Sequence, residues 1–76
     1  MSSYPFSYPP YEARVTKVAD RWRVTIEEHD FGLLDDVYAP TLQEAKALAC
    51  KRLAVRSGHT EAEEACLAAP WVPERE

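Results

Sequence analysis

His29 lies among Glu27, Glu28, Asp30, Asp35 and Asp36. An imidazole beside carboxylates is the raw material of a general base with an orienting partner, or of a hard-cation site. The spacing is that of a solvated acidic loop, and no nucleophile, oxyanion donor or glycine-rich phosphate loop goes with it. Cys50, His59 and Cys66 offer a second set, soft enough for zinc, yet without a fourth ligand or the close pairs that zinc sites use. Small buried residues on helix faces account for the two cysteines better. Trp22 between Arg21 and Arg23 offers a third, a stacking ring flanked by cations of the sort single-stranded nucleic acid favours. Its phase with Val24 and Ile26 assigns it to a core instead. No catalytic, cofactor-binding or metal site follows from these residues, and a non-enzymatic interaction module is expected.

The elements that carry these side chains are legible from periodicity. Tyr11, Ala13 and Val15 alternate along one strand, and Trp22, Val24 and Ile26 along a second, with Ala19 and Asp20 at the turn. Pairing Val15 with Val24 and Ala13 with Ile26 keeps both apolar sets on one face, whereas a slip of one residue puts one set in water. The other face then brings Arg14 opposite Thr25, Arg23 opposite Thr16, and Glu12 opposite Glu27, with Arg14 the diagonal neighbour that relieves the two like charges. The polar stretch closing on Gly32 turns the chain into a third strand over about 34–39.

Thr41 followed by Glu44 is a capping box, so a helix starts there. It runs over about 42–56, with Leu42, Ala45, Ala49 and Leu53 on one stripe and Leu48 at its edge, and Gly58 is its left-handed stop. Thr60 and Glu63 repeat the capping pattern and begin a shorter helix over 61–69 that Pro70 ends. The expected fold is α+β: a three-stranded antiparallel sheet, a hairpin plus a third strand, packed against one main helix, with a second short C-terminal helix. One βββαα domain occupies 11–69, its core built on Val15, Trp22, Val24, Ile26, Leu42, Ala45, Leu48, Ala49 and Leu53.

Residues 1–10 hold an imperfect repeat, Ser3-Tyr4-Pro5 and Ser7-Tyr8-Pro9. Proline removes donors and biases its predecessor toward extended backbone, which reads as a flexible, polyproline-like arm. Its Tyr4, Phe6 and Tyr8, together with Trp71 in a 70–76 tail, are apolar groups that a small core can hardly take in, and burying them between two copies predicts a homodimer. With Arg14 and Arg23 on the strands, Tyr4, Phe6, Tyr8 and Trp71 make up the candidate partner-binding set.

Seventy-six residues allow one small domain with a stability of only ~4–8 kcal/mol. A net charge of −4 with scattered arginines argues against nucleic acid and fits a basic protein partner better. Two cysteines outside any C-x-x-C spacing, with no leader resembling a signal peptide, predict a reduced cytoplasmic protein. No apolar run approaches the ~20 residues that span a bilayer. Abundant alanine, arginine over lysine and the absence of asparagine hint at a GC-rich bacterial or phage genome.

The hairpin, the corner His29-Asp30-Phe31-Gly32 and the helix start Thr41-Leu42-Gln43-Glu44-Ala45 together resemble the N-terminal module of HicB-type antitoxins over about residues 11–57. Tyr11, Trp22, Gly32, Thr41, Glu44 and Ala45 occupy matching places. The resemblance implies a protein that neutralises a small basic RNA-cleaving toxin through protein contacts and that oligomerises. It departs at the corner, where His29 stands in place of a frequent proline, and after Gly58, where the chain is too short for the family's DNA-binding domain. The alternative is RNA or DNA binding by a sheet-and-helix face carrying Arg14, Arg21, Arg23, Lys51 and Arg52.

Overall fold

A computed structural model of the chain describes residues 3–73. Four strands run in chain order, β1 (Ser3–Tyr8), β2 (Tyr11–Val18), β3 (Arg21–Glu28) and β4 (Gly32–Ala39), followed by helices α1 (Leu42–Ser57) and α2 (Glu61–Ala68). The sheet is an antiparallel meander in the order β1-β2-β3-β4. The α+β class, the central hairpin and both helices are as the periodicity predicts. The strand count is not: there are four strands, because the segment expected to be a flexible arm is β1.

Tyr4, Phe6 and Tyr8 alternate with period two, and that places all three rings on the face of the sheet that the helices cover. Register makes this explicit, with Tyr4 opposite Val15, Phe6 opposite Ala13 and Tyr8 opposite Tyr11. Pro9 and Pro10, joined by a cis peptide, form the two-residue connection to β2. Pro5 fits within the strand because β1 is an edge, where a missing N–H breaks no ladder on the open side. The prolines read as polyproline conformers thus sit at the turn and on the edge of a hairpin.

The β2–β3 register is the predicted one: Val15 pairs with Val24, Ala13 with Ile26, Arg14 with Thr25, Thr16 with Arg23 and Glu12 with Glu27. At the turn Ala19 takes φ 57°, a left-handed conformation that costs an alanine roughly 1–2 kcal/mol. Between β3 and β4 the register shifts after Ile26, which pairs with Asp35, while Glu27 pairs with Leu33. Leu34 is therefore the extra residue of a β-bulge, and the bulge turns Leu33 to the uncovered face while Asp35 points toward the helices.

Helix α1 begins at the expected N-cap, the Thr41 side chain accepting from the Glu44 N–H at 3.2 Å. It ends at Gly58, with φ 75° and its N–H donating to the Ala54 carbonyl at 3.0 Å. The second capping box is not realised. Thr60 is itself helical and makes no side-chain cap bond; instead the Ala62 and Glu63 N–H groups donate to the His59 and Thr60 carbonyls, so backbone alone secures the start of α2.

Ala13, Val15, Val24, Ile26, Ala39, Ala45, Ala49, Cys50, Leu53, Ala62 and Cys66 are buried between sheet and helices. Trp22, Leu42 and Leu48, expected inside, lie half-buried at the rim, since rings and long side chains surround a centre that alanines fill. Among the described residues no helix is long and apolar enough to cross a membrane.

Candidate interaction surface

Each aromatic residue of the candidate partner-binding set meets another part of its own chain. Tyr4 lies 6.0 Å from Trp22 between ring centroids, with the Lys46 ammonium 5.5 Å from its ring. Phe6 stacks on Trp71 at 5.9 Å, and the Trp71 Nε1–H donates to the Cys66 carbonyl at 2.9 Å. The Tyr8 hydroxyl and His59 Nδ1 are 3.3 Å apart. The groups thought to need a second copy are half-buried within the monomer, because β1 and the segment after α2 approach the same sheet edge. Residues 74–76 of the expected tail lie outside the described residues.

Arg14 and Arg23 occupy the uncovered sheet face, where they are tied to acidic and hydroxyl neighbours. Arg14 donates to Glu12 Oε2 at 2.8 Å and to the Ser3 hydroxyl at 2.9 Å. Arg23 forms a two-pronged pair with Asp36 at 2.8 and 2.7 Å, which holds the Asp36 carboxyl below its ordinary range. Arg21 lies 5.5 Å from the Tyr38 ring and 3.8 Å from Asp20. Arg52, by contrast, reaches Asp35 from α1, on the other side of the sheet. The five basic residues proposed as one nucleic-acid face are thus divided by the sheet itself, and four of them lie beside carboxylates.

Asp35 is the buried member of this charge pattern. Its carboxylate accepts from Arg56 Nε at 2.9 Å and from Arg56 Nη2 at 3.0 Å, and the same Nη2 donates to the Leu34 carbonyl at 3.2 Å. That fastens the last turn of α1 to the bulge in β4. The bond from Arg56 draws the Asp35 carboxyl below its ordinary value against the opposing effect of burial. A carboxyl whose pKa is lower folded than unfolded, where it is about 3.9, adds stability that is present above that value and is lost as pH falls through the folded-state value. Asp35→Asn is expected to cost about 1–2 kcal/mol at neutral pH and to flatten the acid limb of the stability profile. Urea titrations between neutrality and strong acid measure both; an acid limb as steep as the parent's would show that the pair contributes nothing.

The His29 region forms a shallow cleft of about 440 Å³ at the end of the sheet, with Pro9, Pro10, Tyr11, Glu27 and Glu28 in its walls. The His29 N–H donates to the Pro10 carbonyl at 2.9 Å, joining the two turns at that end. Glu28 is spent on structure, its buried carboxylate accepting from the Asp30 and Phe31 N–H groups at 3.2 and 3.1 Å. Asp35 and Asp36 are engaged elsewhere, so the carboxylates clustered in sequence do not converge on the imidazole. Cys50 on α1 and Cys66 on α2 are both buried in the core, while His59 lies beside Tyr8. Interaction with Cys50, with burial, pushes the Cys66 thiol up, and the same interaction draws Cys50 down. Among the described residues no three His, Cys, Asp or Glu side chains group to hold a metal ion.

What the periodicity did not single out is the outer margin of β4. Phe31 is 82% exposed, Leu33 52% and Tyr38 49%, along one free edge of the sheet. The signal was the doublet Leu33-Leu34 followed by Asp35-Asp36: in a regular strand one residue of each doublet falls on either face, which leaves the phase of the strand undecided. Glu27 and Asp30 stand beside Phe31 and Leu33, and neither has a cationic partner among the described residues. Comparison with protein-family models, with curated proteins and with solved structures finds no match to this chain.

Proposed function

We propose that the chain is a small non-enzymatic protein-interaction module, antitoxin-like in the sense of the HicB resemblance, that binds and inhibits or modulates a partner protein. The observation that carries this reading is the exposure of three large apolar side chains, Phe31 in the turn before β4 and Leu33 and Tyr38 on β4 at the free side of the sheet. Large apolar groups on one margin of a small protein are the material of an interface centre. The carboxylates of Glu27 and Asp30 beside them fit a basic partner, such as a small basic toxin. Regular strand addition is interrupted by the bulge at Leu34 and by Asp35 turned toward the helices, both devices that guard an edge. Docking therefore runs chiefly through side chains of the corner and the outer margin. In the free protein the same patch favours a homodimer, with β4 in place of the arm as its contact. Nucleic acid is the weaker alternative, since its proposed arginines are split between two faces and held by carboxylates.

The test is affinity capture from the native host followed by titration calorimetry against the protein captured, with the parent and with the double variant Phe31→Ala, Leu33→Ala. Binding weakened at least about 30-fold, corresponding to ~2 kcal/mol, with an unchanged circular-dichroism spectrum, is the expected result. Equal affinity for parent and variant would remove β4 from the interface. Salt-dependent RNA binding with no protein binding would reverse the choice between the two readings.

A further inference from the structure

The uncovered face of the sheet carries its charges in an order. Along β3, Arg21, Arg23, Thr25 and Glu27 point away from the helices, so the strand is cationic at one end and anionic at the other. Both end groups are exposed and poorly matched within the chain. Arg21 has a loose pair with Asp20 at 3.8 Å and lies beside the Tyr38 ring, and Glu27 has no cationic partner among the described residues. Across the whole face Arg14, Arg21 and Arg23 balance Glu12, Glu27 and Asp36. The face is thus neutral but polarised along the strands, unlike the acidic corner at Phe31.

We propose that this face is the contact of a homodimer in which a second copy stacks its sheet on the first with strand directions reversed. The registers align Tyr4, Val15, Val24 and Val37 in one row across all four strands. A two-fold rotation about a line above that row exchanges the two ends of every strand. Arg21 of one copy then stands over Glu27 of the other, twice by symmetry. Arg23 meets Thr25, and Asp36 meets Tyr38, whose hydroxyl can donate to the carboxylate. Leu33, in the row of Glu27 and 52% exposed, falls over the hollow of about 350 Å³ that Arg21, Tyr38 and Pro40 line at the other end. A rotation about a line parallel to the strands instead sets Glu12 over Glu27 twice, and like charges select against it.

The geometry is that of an aligned sandwich, whose sheets lie ~10 Å apart, a gap that arginine and glutamate side chains bridge from opposite sides. Four strands of eight residues offer roughly 500 Å² of flat area per copy, which puts the pair at the low end of specific interfaces and predicts a micromolar, exchanging dimer. The inference rests on the homodimer of the preceding section and names the surface that makes it. The stack competes with a partner for Leu33 and Tyr38.

Sedimentation equilibrium of the full chain, from tens to hundreds of micromolar at low salt, measures the association. Arg21→Glu and Glu27→Arg are each expected to weaken it at least about tenfold, because each sets like charges over one another at two symmetric places. The double variant carrying both reversals restores the match and is expected to dimerise as the parent does. The reversed side chains are exposed, and circular dichroism checks that each variant keeps the fold. A parent that is monomeric throughout, single reversals that associate like the parent, or a double variant no better than the singles would each overturn the proposal. Partner capture is a separate measurement, so a monomeric parent that still binds its partner rejects the stack and leaves the interaction reading standing.

Discussion

Ile26→Ala is expected to lower the unfolding free energy by about 2–5 kcal/mol, a large part of the ~4–8 kcal/mol available to a chain of this length. Ile26 is fully buried on β3 between Ala13 and Asp35 of the flanking strands. Its surroundings make the upper half of that range the expected one. The core is rich in alanine, with Ala13, Ala39, Ala45, Ala49 and Ala62 all buried, and alanines have no rotamers with which to refill a vacated volume. Urea denaturation of parent and variant measures the difference. A loss below ~1 kcal/mol would show that the face assignment of the central hairpin is wrong.

The second large effect is expected from a chain that begins at Tyr11. As a flexible arm, residues 1–10 could be removed at little cost to stability. Within them, β1 (Ser3–Tyr8) brings three half-buried aromatic rings and a six-residue ladder to the sheet, and its removal uncovers the β2 edge together with Trp22 and Trp71. Losing about half the burial value of each ring amounts to roughly 3–5 kcal/mol, enough to leave the shortened chain partly unfolded at 25 °C and prone to associate through its new edge. Thermal melting with size-exclusion chromatography reads both. A shortened chain that melts within a few degrees of the parent and elutes as a monomer would contradict the packing of β1.

These outcomes bear differently on the functional reading. Ile26 and β1 concern the scaffold; β1 lies at the opposite edge of the sheet from β4, whereas Ile26 pairs with Asp35 beside the bulge. A variant that folds as the parent does but fails to bind, such as the Phe31 and Leu33 substitutions, separates recognition from stability. Arg23 and Asp36 lie on the same uncovered face as Leu33 and Tyr38, half exposed and paired with each other. Exposed pairs of this kind contribute little to stability, so their charges are available to set the orientation of a partner.

Local periodicity determined a great deal. The central hairpin, its register, the capped start of α1, its glycine stop and the extent of α2 all follow from interactions within a few residues, or from one apolar face that must be buried as a whole. The placement of Arg14 and Arg23 on the face away from the helices followed with the register. Proline chemistry was correct locally and misleading globally, because extended backbone serves a free arm and an edge strand equally well. Only the presence of β2, and of Trp22 and Trp71 to receive the rings, decides that Tyr4, Phe6 and Tyr8 fold inward.

The bulge was likewise settled in three dimensions. Leu33-Leu34-Asp35-Asp36 admits either doublet phase, and the inward Asp35 of the phase adopted is compensated by the guanidinium of Arg56, at the far end of α1. With Arg52 also beside Asp35, the inward carboxylate is compensated from α1, and Leu33 falls on the opposite, uncovered face. Contacts between residues distant in sequence cost loop-closure entropy that no local window records, and their yield depends on groups that only the assembled fold brings together.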